Sequence, residues 1–209
     1  MEEGLAVPAS SVIEAAVRTG ALPHLIQGAR DTGKTHLLLA SCYAARESGK
    51  SVAYIALRQS TERLLEQAEG AGLIAVDDVD AIEGNLDAQV ALFHLFNAVQ
   101  SNQQTLLLSS IGSPSSMNLQ LPDLKSRLGA CVRVPLTMLS DEGRKKALQV
   151  RAHSRGLEFD DAAIDWLLLR ADRSVSSLMT LFRQLDHASS VRQKKLTLPF
   201  VREILSDQL

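Results

Sequence analysis

The sequence has only two cysteines and no long apolar run, and each absence excludes a class of protein. Cys42 and Cys131 lie far apart and form no CxxC or cysteine–histidine spacing, which argues against a disulfide scaffold and against a zinc site. The longest apolar runs are too short to cross a bilayer. The acidic start Met1–Glu3, with no apolar stretch after it, argues against a secretory signal. We therefore expect a protein of the reducing cytoplasm without membrane contact.

An excess of charge of one sign is also lacking. The 22 Lys and Arg residues against 24 Asp and Glu residues give a net charge of −2, so no overall basic field attracts nucleic acid. With 209 residues, of which 45% are hydrophobic and 22% charged, the composition is that of an ordinary globular protein. Disordered, fibrous and large multidomain proteins are excluded.

Short strand-like segments alternate with helical patterns over the first part of the chain. Apolar residues recur every three or four positions in 34–48 and 87–100, which is typical of amphipathic helices. The alternation of strands and helices predicts parallel βαβ units with right-handed crossovers. The Ser-rich segment 109–116 predicts a loop. The predicted strands are Leu25–Gly28, Ser51–Leu57, Gly72–Asp77, Thr105–Ser110 and Cys131–Leu136.

Beyond Leu136 the strand signals stop, and the chain has the pattern of three or four helices. Ser140, followed by two acidic residues, is a good N-cap for a helix that ends at Gly156. Further helices are predicted over about 160–169 and 175–189, and a fourth has Pro199 in its first turn. The charge balance changes at the same point, from 10 basic and 14 acidic residues before it to 12 and 10 after it. We predict an α/β core over 1–136 and a helical subdomain over 137–209.

The strongest chemical signal is a complete GxxxxGK[ST] motif between a predicted strand and a predicted helix. Such a P-loop directs backbone N–H groups toward phosphate, and the start of the helix adds the positive end of its dipole. Lys34 supplies a cation for the β and γ phosphates, and Thr35 supplies a hydroxyl for Mg²⁺. The predicted nucleotide-binding residues are Gly28, Ala29, Arg30, Asp31, Thr32, Gly33, Lys34 and Thr35.

Two carboxylates follow another apolar strand, and a P-loop needs such a group on a neighbouring strand to orient its metal ion. Asp77 is the predicted metal partner, and Asp78 is predicted to orient or polarise the attacking water. Taken alone, a strand that ends in Asp is also a common helix cap. Together with the P-loop, the pattern favours a site.

Arg127 precedes the last predicted strand, where an arginine can reach a phosphate bound to a neighbouring subunit. Its spacing alone favours a solvated surface arginine instead. The five histidines share no helical spacing, and we interpret them as structural or surface residues.

The order of these signals resembles that of AAA+ nucleotide-binding modules, and more narrowly that of the DnaA initiator family with its Hda-type regulatory inactivators. Residues 118–128 are very similar to the segment that carries the finger arginine of the Hda type. The resemblance implies an α/β core with a five-stranded parallel sheet flanked by helices, followed by a small all-helical lid. Further similar segments are Leu139–Glu142, Ala147–Ala152, Leu185–Ser189 and Lys195–Leu205.

The resemblance also implies a function. Hda-type proteins, bound to the DNA-loaded sliding clamp, stimulate ATP hydrolysis by DnaA through an arginine finger that acts in trans, which prevents re-initiation of replication. Arg127 stands at the finger position, which reverses the interpretation from spacing alone. The implied ligands are ADP or ATP with Mg²⁺, and a homodimer or a mixed assembly with DnaA is implied. The family's helix-turn-helix domain would begin near residue 209, so sequence-specific DNA binding by this chain alone is not expected.

Three departures from the family pattern bear on this function. The run 109–111 ends in Ile111 where the family has an aspartate sensor, and isoleucine cannot contact a γ-phosphate. Ser176 stands at the position of the lid's sensor arginine, and Arg173, on nearly the same helix face, is predicted to substitute. The segment 1–16 contains nothing like the family's clamp-binding peptide.

From these departures we expect weak or absent intrinsic hydrolysis. The alternative function is a DnaA-related nucleotide-binding adaptor that lacks clamp coupling and hydrolysis. A small-molecule kinase on a P-loop fold is less favoured, because the helical C-terminal part resembles an AAA+ lid and no acceptor-substrate signature is present.

Overall fold

A computed structural model of the protein describes residues 22–59, 62–172 and 174–205, together with Ser11, Glu14 and Ala16. The chain divides into two compact units, one ending at Thr137 and one beginning at Met138. The first unit contains β1 (His24–Gln27), α1 (Lys34–Glu47), β2 (Val52–Ala56), α2 (Glu62–Gln67), β3 (Leu73–Asp77), α3 (Leu86–Asn102), β4 (Thr105–Ser110), α4 (Pro122–Gly129) and β5 (Val132–Pro135). The second contains α5 (Asp141–Ser154), α6 (Asp161–Arg170), α7 (Val175–Arg192) and α8 (Leu198–Leu205).

The five strands form one parallel sheet in the order β2-β3-β4-β1-β5, which confirms the predicted fold class. His24 pairs with Leu107 on one side and with Val132 on the other, so β1 lies between β4 and β5. Strands β3 and β4 are buried throughout, as expected for parallel strands covered on both faces. All five carboxyl ends therefore lie at one edge of the sheet, where β1 delivers the phosphate-loop motif.

Helices cover both faces of the sheet. Helix α1 buries Leu38 and Cys42 against Ile26 of β1, while α3 buries residues such as Leu92 and Leu95 in the core of the opposite face. The periodicity of apolar residues predicted both helices because each has a broad apolar face. Cys42 and Cys131 are free and buried.

Two short helices, α2 and α4, lie where the sequence predicted no regular element. Short 3₁₀ turns, 68–70 and 79–82, add further local structure. The prediction of a loop over 109–116 was wrong at its start. Ser109 and Ser110 are the buried last residues of β4, because this strand lies in the middle of the sheet, and the loop begins at Ile111.

The second unit has four helices in its described residues around its own apolar core. Phe182, Leu185 and Phe200 are among the buried side chains of this core. Ser140 Oγ accepts a hydrogen bond from Gly143 N at 3.1 Å, which confirms the predicted N-cap of α5. In the described part of the chain, no helix is both long and apolar enough to cross a membrane.

His24 is a buried histidine at the start of β1, and it makes folding of the first unit sensitive to pH. Burial lowers its pKa, although a hydrogen bond to the backbone of Leu22 opposes this shift. Below about pH 6.5 this histidine binds a proton more readily in the unfolded chain than in the folded chain. The free energy of unfolding therefore decreases as the pH falls through that value.

We expect the denaturant concentration at the unfolding midpoint to decrease as the pH is lowered from about 7.5 to about 5.5. His24→Leu should make this midpoint depend less on pH. His94, which is exposed, offers a matched control, and His94→Gln should keep the wild-type slope. Equal slopes for wild type and His24→Leu would contradict the prediction. The measurement is chemical denaturation followed by circular dichroism at several pH values.

Candidate functional site

The loop between β1 and α1 has the backbone geometry of a phosphate-binding loop. Asp31 and Gly33 both have left-handed backbone angles, with φ of 61° and 94°. A Cβ at Gly28 would clash with the carbonyl oxygen of Leu136 and would lie 2.7 Å from Thr32 Oγ1, so only glycine fits there. Thr32 Oγ1 donates to Ala29 O at 2.9 Å and tightens the loop.

The first turn of α1, which is described throughout, offers its backbone N–H groups to an anion. Gly33 precedes the helix and provides no side-chain cap, and the first turn contains no acidic residue. The positive end of the helix dipole is therefore not compensated within α1. This arrangement favours a bound phosphate at the start of the helix.

Lys34 is buried and folds back over the loop. Its Nζ donates to Gly28 O at 2.8 Å and to Ala29 O at 2.7 Å. Burial lowers the pKa of this amine, while nearby carboxylates, Asp78 first among them, favour the charged form. A flexible cation held at the loop's own carbonyls can turn toward phosphate oxygens with little rearrangement of the backbone.

Asp77, the last residue of β3, joins the P-loop to the neighbouring strands. Thr35 Oγ1 donates to its Oδ2 at 2.7 Å, and Tyr54 OH donates to the same oxygen at 2.9 Å. Ser109 Oγ donates to Oδ1. Burial and the bond to this carboxylate raise the pKa of Tyr54 well above its ordinary value, so Tyr54 remains a donor.

The predicted metal residues Thr35 and Asp77 are therefore in direct contact. Hydroxyl and carboxylate oxygens are hard ligands that Mg²⁺ prefers, and Mg²⁺ at P-loops also uses water and phosphate oxygens. The donor set fits that ion. Among the described residues, no group of three or more His, Cys, Asp or Glu side chains is placed to hold a metal, but a P-loop ion needs only one carboxylate.

Asp78, predicted to act on the attacking water, is engaged by another side chain. Its backbone is left-handed, with φ of 58°, and its Oδ2 accepts from Arg58 Nε at 2.8 Å. Both side chains are partly exposed. Arg58 therefore occupies one of the two carboxylate oxygens with which Asp78 would accept a proton from water.

The loop after β4 is held by hydrogen bonds from its backbone N–H groups to the side chain of Asp80. Asp80 accepts from Ile111 N at 2.9 Å and from Gly112 N at 3.2 Å. Ile111 itself presents only a hydrocarbon side chain at the position where the family resemblance implies an acid. The structure therefore holds the loop in place without supplying a polar group there.

Arg127 lies in the last turn of α4 and is held by α3. Its Nη1 donates to Gln100 Oε1 at 2.6 Å and its Nη2 donates to Asn97 Oδ1 at 2.8 Å. The guanidinium carbon lies 5.7 Å from the centre of the Phe93 ring. All three contacts are with uncharged groups, so the position is fixed without neutralising the charge. Arg127 is half-buried, which differs from the solvated arginine that spacing alone favoured.

The segment before Arg127 is anchored by a buried glutamine of α3. Gln89 Oε1 accepts from the backbone N–H groups of Gln120 at 2.8 Å and Leu121 at 3.1 Å. Its Nε2 donates to Ile82 O at 3.2 Å. An amide that bonds three backbone groups inside the core gives α4 a defined starting point.

Arg127 and the phosphate loop lie at opposite edges of the sheet. Helix α4 ends just before β5 begins, and Asn97 and Gln100 lie in the part of α3 that leads into the start of β4. The phosphate loop follows the other end of β1, and four residues of strand span about 13 Å. The structure thus does not bring Arg127 together with the phosphate loop, Asp77 or Asp78 of its own chain.

The predicted lid residues are only partly described. Ser176 is exposed in the first turn of α7, and its Oγ lies 3.3 Å from Ser174 Oγ. Arg173, predicted to contact the phosphates in its place, lies outside the described residues. Likewise, the segment 1–16, which contains nothing like a clamp-binding peptide, lies outside them except for Ser11, Glu14 and Ala16.

Several residues that shape these sites were not predicted from the sequence. Tyr54, in the middle of β2, donates to Asp77, and Arg58, two residues beyond β2, donates to Asp78. Asp80 holds the loop after β4. Asn97 and Gln100 were part of an amphipathic pattern with no chemical signal of its own. A polar residue just after the carboxyl end of a parallel strand was an available signal for Arg58, and Tyr54, inside β2, had none.

Two family models match the chain, and together they cover most of it. Residues 2–135 match the model of the bacterial DnaA ATPase domain. Residues 141–205 match the lid domain of Hda. The first match covers the P-loop, the double aspartate and Arg127, and the second covers all four helices of the second unit.

Solved structures similar to the chain include three structures of DnaA. Domain III of DnaA from Thermotoga maritima has a TM-score of 0.76 at 20% identity, over 98% of this chain and 94% of that one. DnaA from Aquifex aeolicus bound to AMPPCP has a TM-score of 0.69 at 22% identity, over 88% and 64%. A replication initiator DnaA bound to AMPPCP and single-stranded DNA has a TM-score of 0.70 at 23% identity, over 92% of this chain and 66% of that one. The chain thus spans slightly less than two thirds of the longer initiators.

Proposed function

The chain belongs to the bacterial DnaA ATPase family, as an AAA+ protein with an Hda-type lid, and on that basis we propose that it is a regulatory inactivator of DnaA. In this function the chain binds an adenine nucleotide at its own P-loop. It presents Arg127 to ATP bound by the initiator, and so accelerates that ATP's hydrolysis and prevents re-initiation. The initiator is the proposed partner, and the DNA-loaded sliding clamp and a second copy of this chain are further candidates.

The observation that carries the proposal is the position of Arg127. The guanidinium lies at the edge of the sheet where the strands begin, away from the phosphate loop of its own chain. It is held by Asn97 and Gln100, which are neutral, so its full positive charge remains for a phosphate. An arginine fixed in this way suits charge stabilisation on a nucleotide bound to another subunit.

The chain's own nucleotide site is proposed to bind ADP or ATP with Mg²⁺. Lys34 and the N–H groups at the start of α1 would bind the phosphates, and Thr35 and Asp77 would hold the metal ion. When bound, Mg²⁺ would neutralise charge on the phosphate oxygens. DnaA proteins bound to AMPPCP are among the similar structures, which supports a nucleotide at this loop.

We expect slow ATP hydrolysis by the purified chain alone. Arg58 occupies one carboxylate oxygen of Asp78, and Ile111 has no polar side chain at the sensor position, so fewer groups than in the family pattern can orient the attacking water. The measurement is phosphate release at saturating ATP, with Lys34→Ala as the background. Rapid turnover in wild type that is lost in Lys34→Ala would contradict this prediction.

The experiment that tests the proposed function is ATP hydrolysis by the cognate initiator with and without this chain. Each reaction is run with free DNA, with the clamp and with DNA-loaded clamp. Stimulation that requires the loaded clamp supports the complete proposal and implies a clamp contact. Stimulation without the clamp supports the finger function and argues against clamp coupling.

A nucleotide-binding adaptor related to DnaA is the second candidate. The pairing of Asp78 with Arg58 favours it, because an adaptor needs to hold nucleotide rather than hydrolyse it. In the same experiment, an adaptor would give no stimulation in any reaction while binding ADP or ATP normally.

A further inference from the structure

A cavity of about 560 Å³ opens beside Arg127 at the edge of the sheet opposite the phosphate loop. Its lining comes from the segment before β1, the last turns of α3 and the junction between α4 and β5. Arg127 forms part of its wall. The proposed finger therefore borders a recess large enough for one or two side chains of another protein.

Six of the ten described residues that line this cavity are apolar, and the other four are three glutamines and Arg127. Phe96 and Val99 are buried and line it together with Cys131. Burial raises the pKa of the Cys131 thiol to about 12, so the group remains uncharged and acts as a small apolar surface. Leu22, at the segment before β1, is 66% exposed and extends the apolar lining outward.

The charge of the lining restricts what can enter. Arg127 is the one charged residue among the residues that line the cavity, and the other polar groups are amides such as Gln100 and Gln104. A lysine or arginine entering the cavity would meet a fixed positive charge with no carboxylate beside it. An aliphatic or aromatic side chain can instead bury its surface against Phe96, Val99 and Leu22.

We propose that this cavity receives an apolar side chain of the ATP-bearing subunit whose nucleotide Arg127 contacts. The inference rests on the proposed function, because it takes the finger's target as the occupant. Since Arg127 and its partner Gln100 both line the cavity, a protein whose nucleotide meets the guanidinium would lie next to the cavity. The side chain would then anchor the subunit, while Arg127 acts on the phosphate.

The test separates anchoring from catalysis. Ala130, an exposed lining residue with an ordinary helical backbone, is replaced by tryptophan to fill the cavity, and Leu22→Gln removes apolar surface by a milder route. Both variants should raise the concentration of this chain that gives half-maximal stimulation by about ten-fold, the effect of losing one buried anchor. The maximal rate at saturation should stay within about two-fold of wild type, because Arg127 and its amide partners are unchanged.

Gln67→Trp, which places the same indole at an exposed position of α2, is the control and should behave as wild type. Thermal unfolding of each variant verifies folding, and Leu22→Gln decides the matter if Ala130→Trp is unstable. An unchanged half-maximal concentration, or a loss confined to the maximal rate, would overturn the docking inference alone, provided that Arg127→Ala abolishes stimulation. A wild-type chain that never stimulates the initiator would overturn the proposed function and the docking inference together.

Discussion

Replacing Arg127 with alanine is expected to reduce the stimulated rate of initiator ATP hydrolysis by about 10³- to 10⁵-fold, to the initiator's own rate. The variant should fold normally. Arg127 is half-buried and its bonds are with the side chains of Gln100 and Asn97 on α3, whereas the anchor of α4 is Gln89. The loss would arise because charge that develops on the transferred phosphoryl group would no longer meet a fixed cation.

Two further variants show whether geometry or charge alone is required. Lysine at position 127 keeps the charge but lacks the planar guanidinium, whose separate N–H groups reach Gln100 and Asn97 and fix its direction, so Arg127→Lys should recover little of the stimulation. Arg133 is an exposed arginine of β5 with no place in the proposed site, and Arg133→Ala should stimulate like wild type. The readout is initiator phosphate release under single-turnover conditions. Full stimulation by Arg127→Ala would remove this residue from the mechanism.

The amide contacts explain how a half-buried arginine stays available to a partner. A carboxylate in place of Asn97 would hold the guanidinium equally well but would neutralise the charge that a phosphate needs. The observed partners fix the direction of the Arg127 guanidinium through two hydrogen bonds and one contact with an aromatic ring. Binding to a phosphate would therefore require little reordering of the side chain before hydrolysis.

The sequence predicted the features of the fold that depend on local pattern. Strand β4 contains the apolar run Leu106–Leu108, and α1 and α3 have the 3.6-residue period, so their existence follows from the pattern of apolar residues. The phosphate loop was predicted because glycines, Lys34 and Thr35 must be adjacent in sequence to act together.

Contacts between distant segments could not be predicted in this way. Tyr54 and Ser109 reach Asp77 only because β2 and β4 flank β3 in the sheet, and strand order is not written in any one segment. The amides that hold Arg127 are 27 and 30 positions away from it. Helix α4, eight residues long with proline at its start, is too short for a periodic signal.

Replacing Lys34 with alanine is expected to lower the chain's affinity for ATP and ADP by about 10²-fold or more, the cost of removing one partner of a buried charged contact. The buried amine lies over the loop, where it bonds Gly28 O and Ala29 O, and no other lysine lies in this loop. Arg46, exposed in the last turn of the same helix, supplies the control, and Arg46→Ala should bind normally. Fluorescent-nucleotide titration with Mg²⁺ measures both affinities, and unchanged binding by Lys34→Ala would contradict the assignment.

The two replacements act at opposite edges of one sheet, so their effects should separate. Arg127→Ala should bind nucleotide like wild type, because the phosphate loop and Asp77 are connected through β1 and β3 and not through α4. Lys34→Ala should retain the bonds between Arg127 and α3 but lose the chain's own nucleotide. If Lys34→Ala still stimulates the initiator, the finger works independently of the bound nucleotide. If stimulation is lost, nucleotide at one edge of the sheet is required for the finger at the other, which is coupling between two distinct sites.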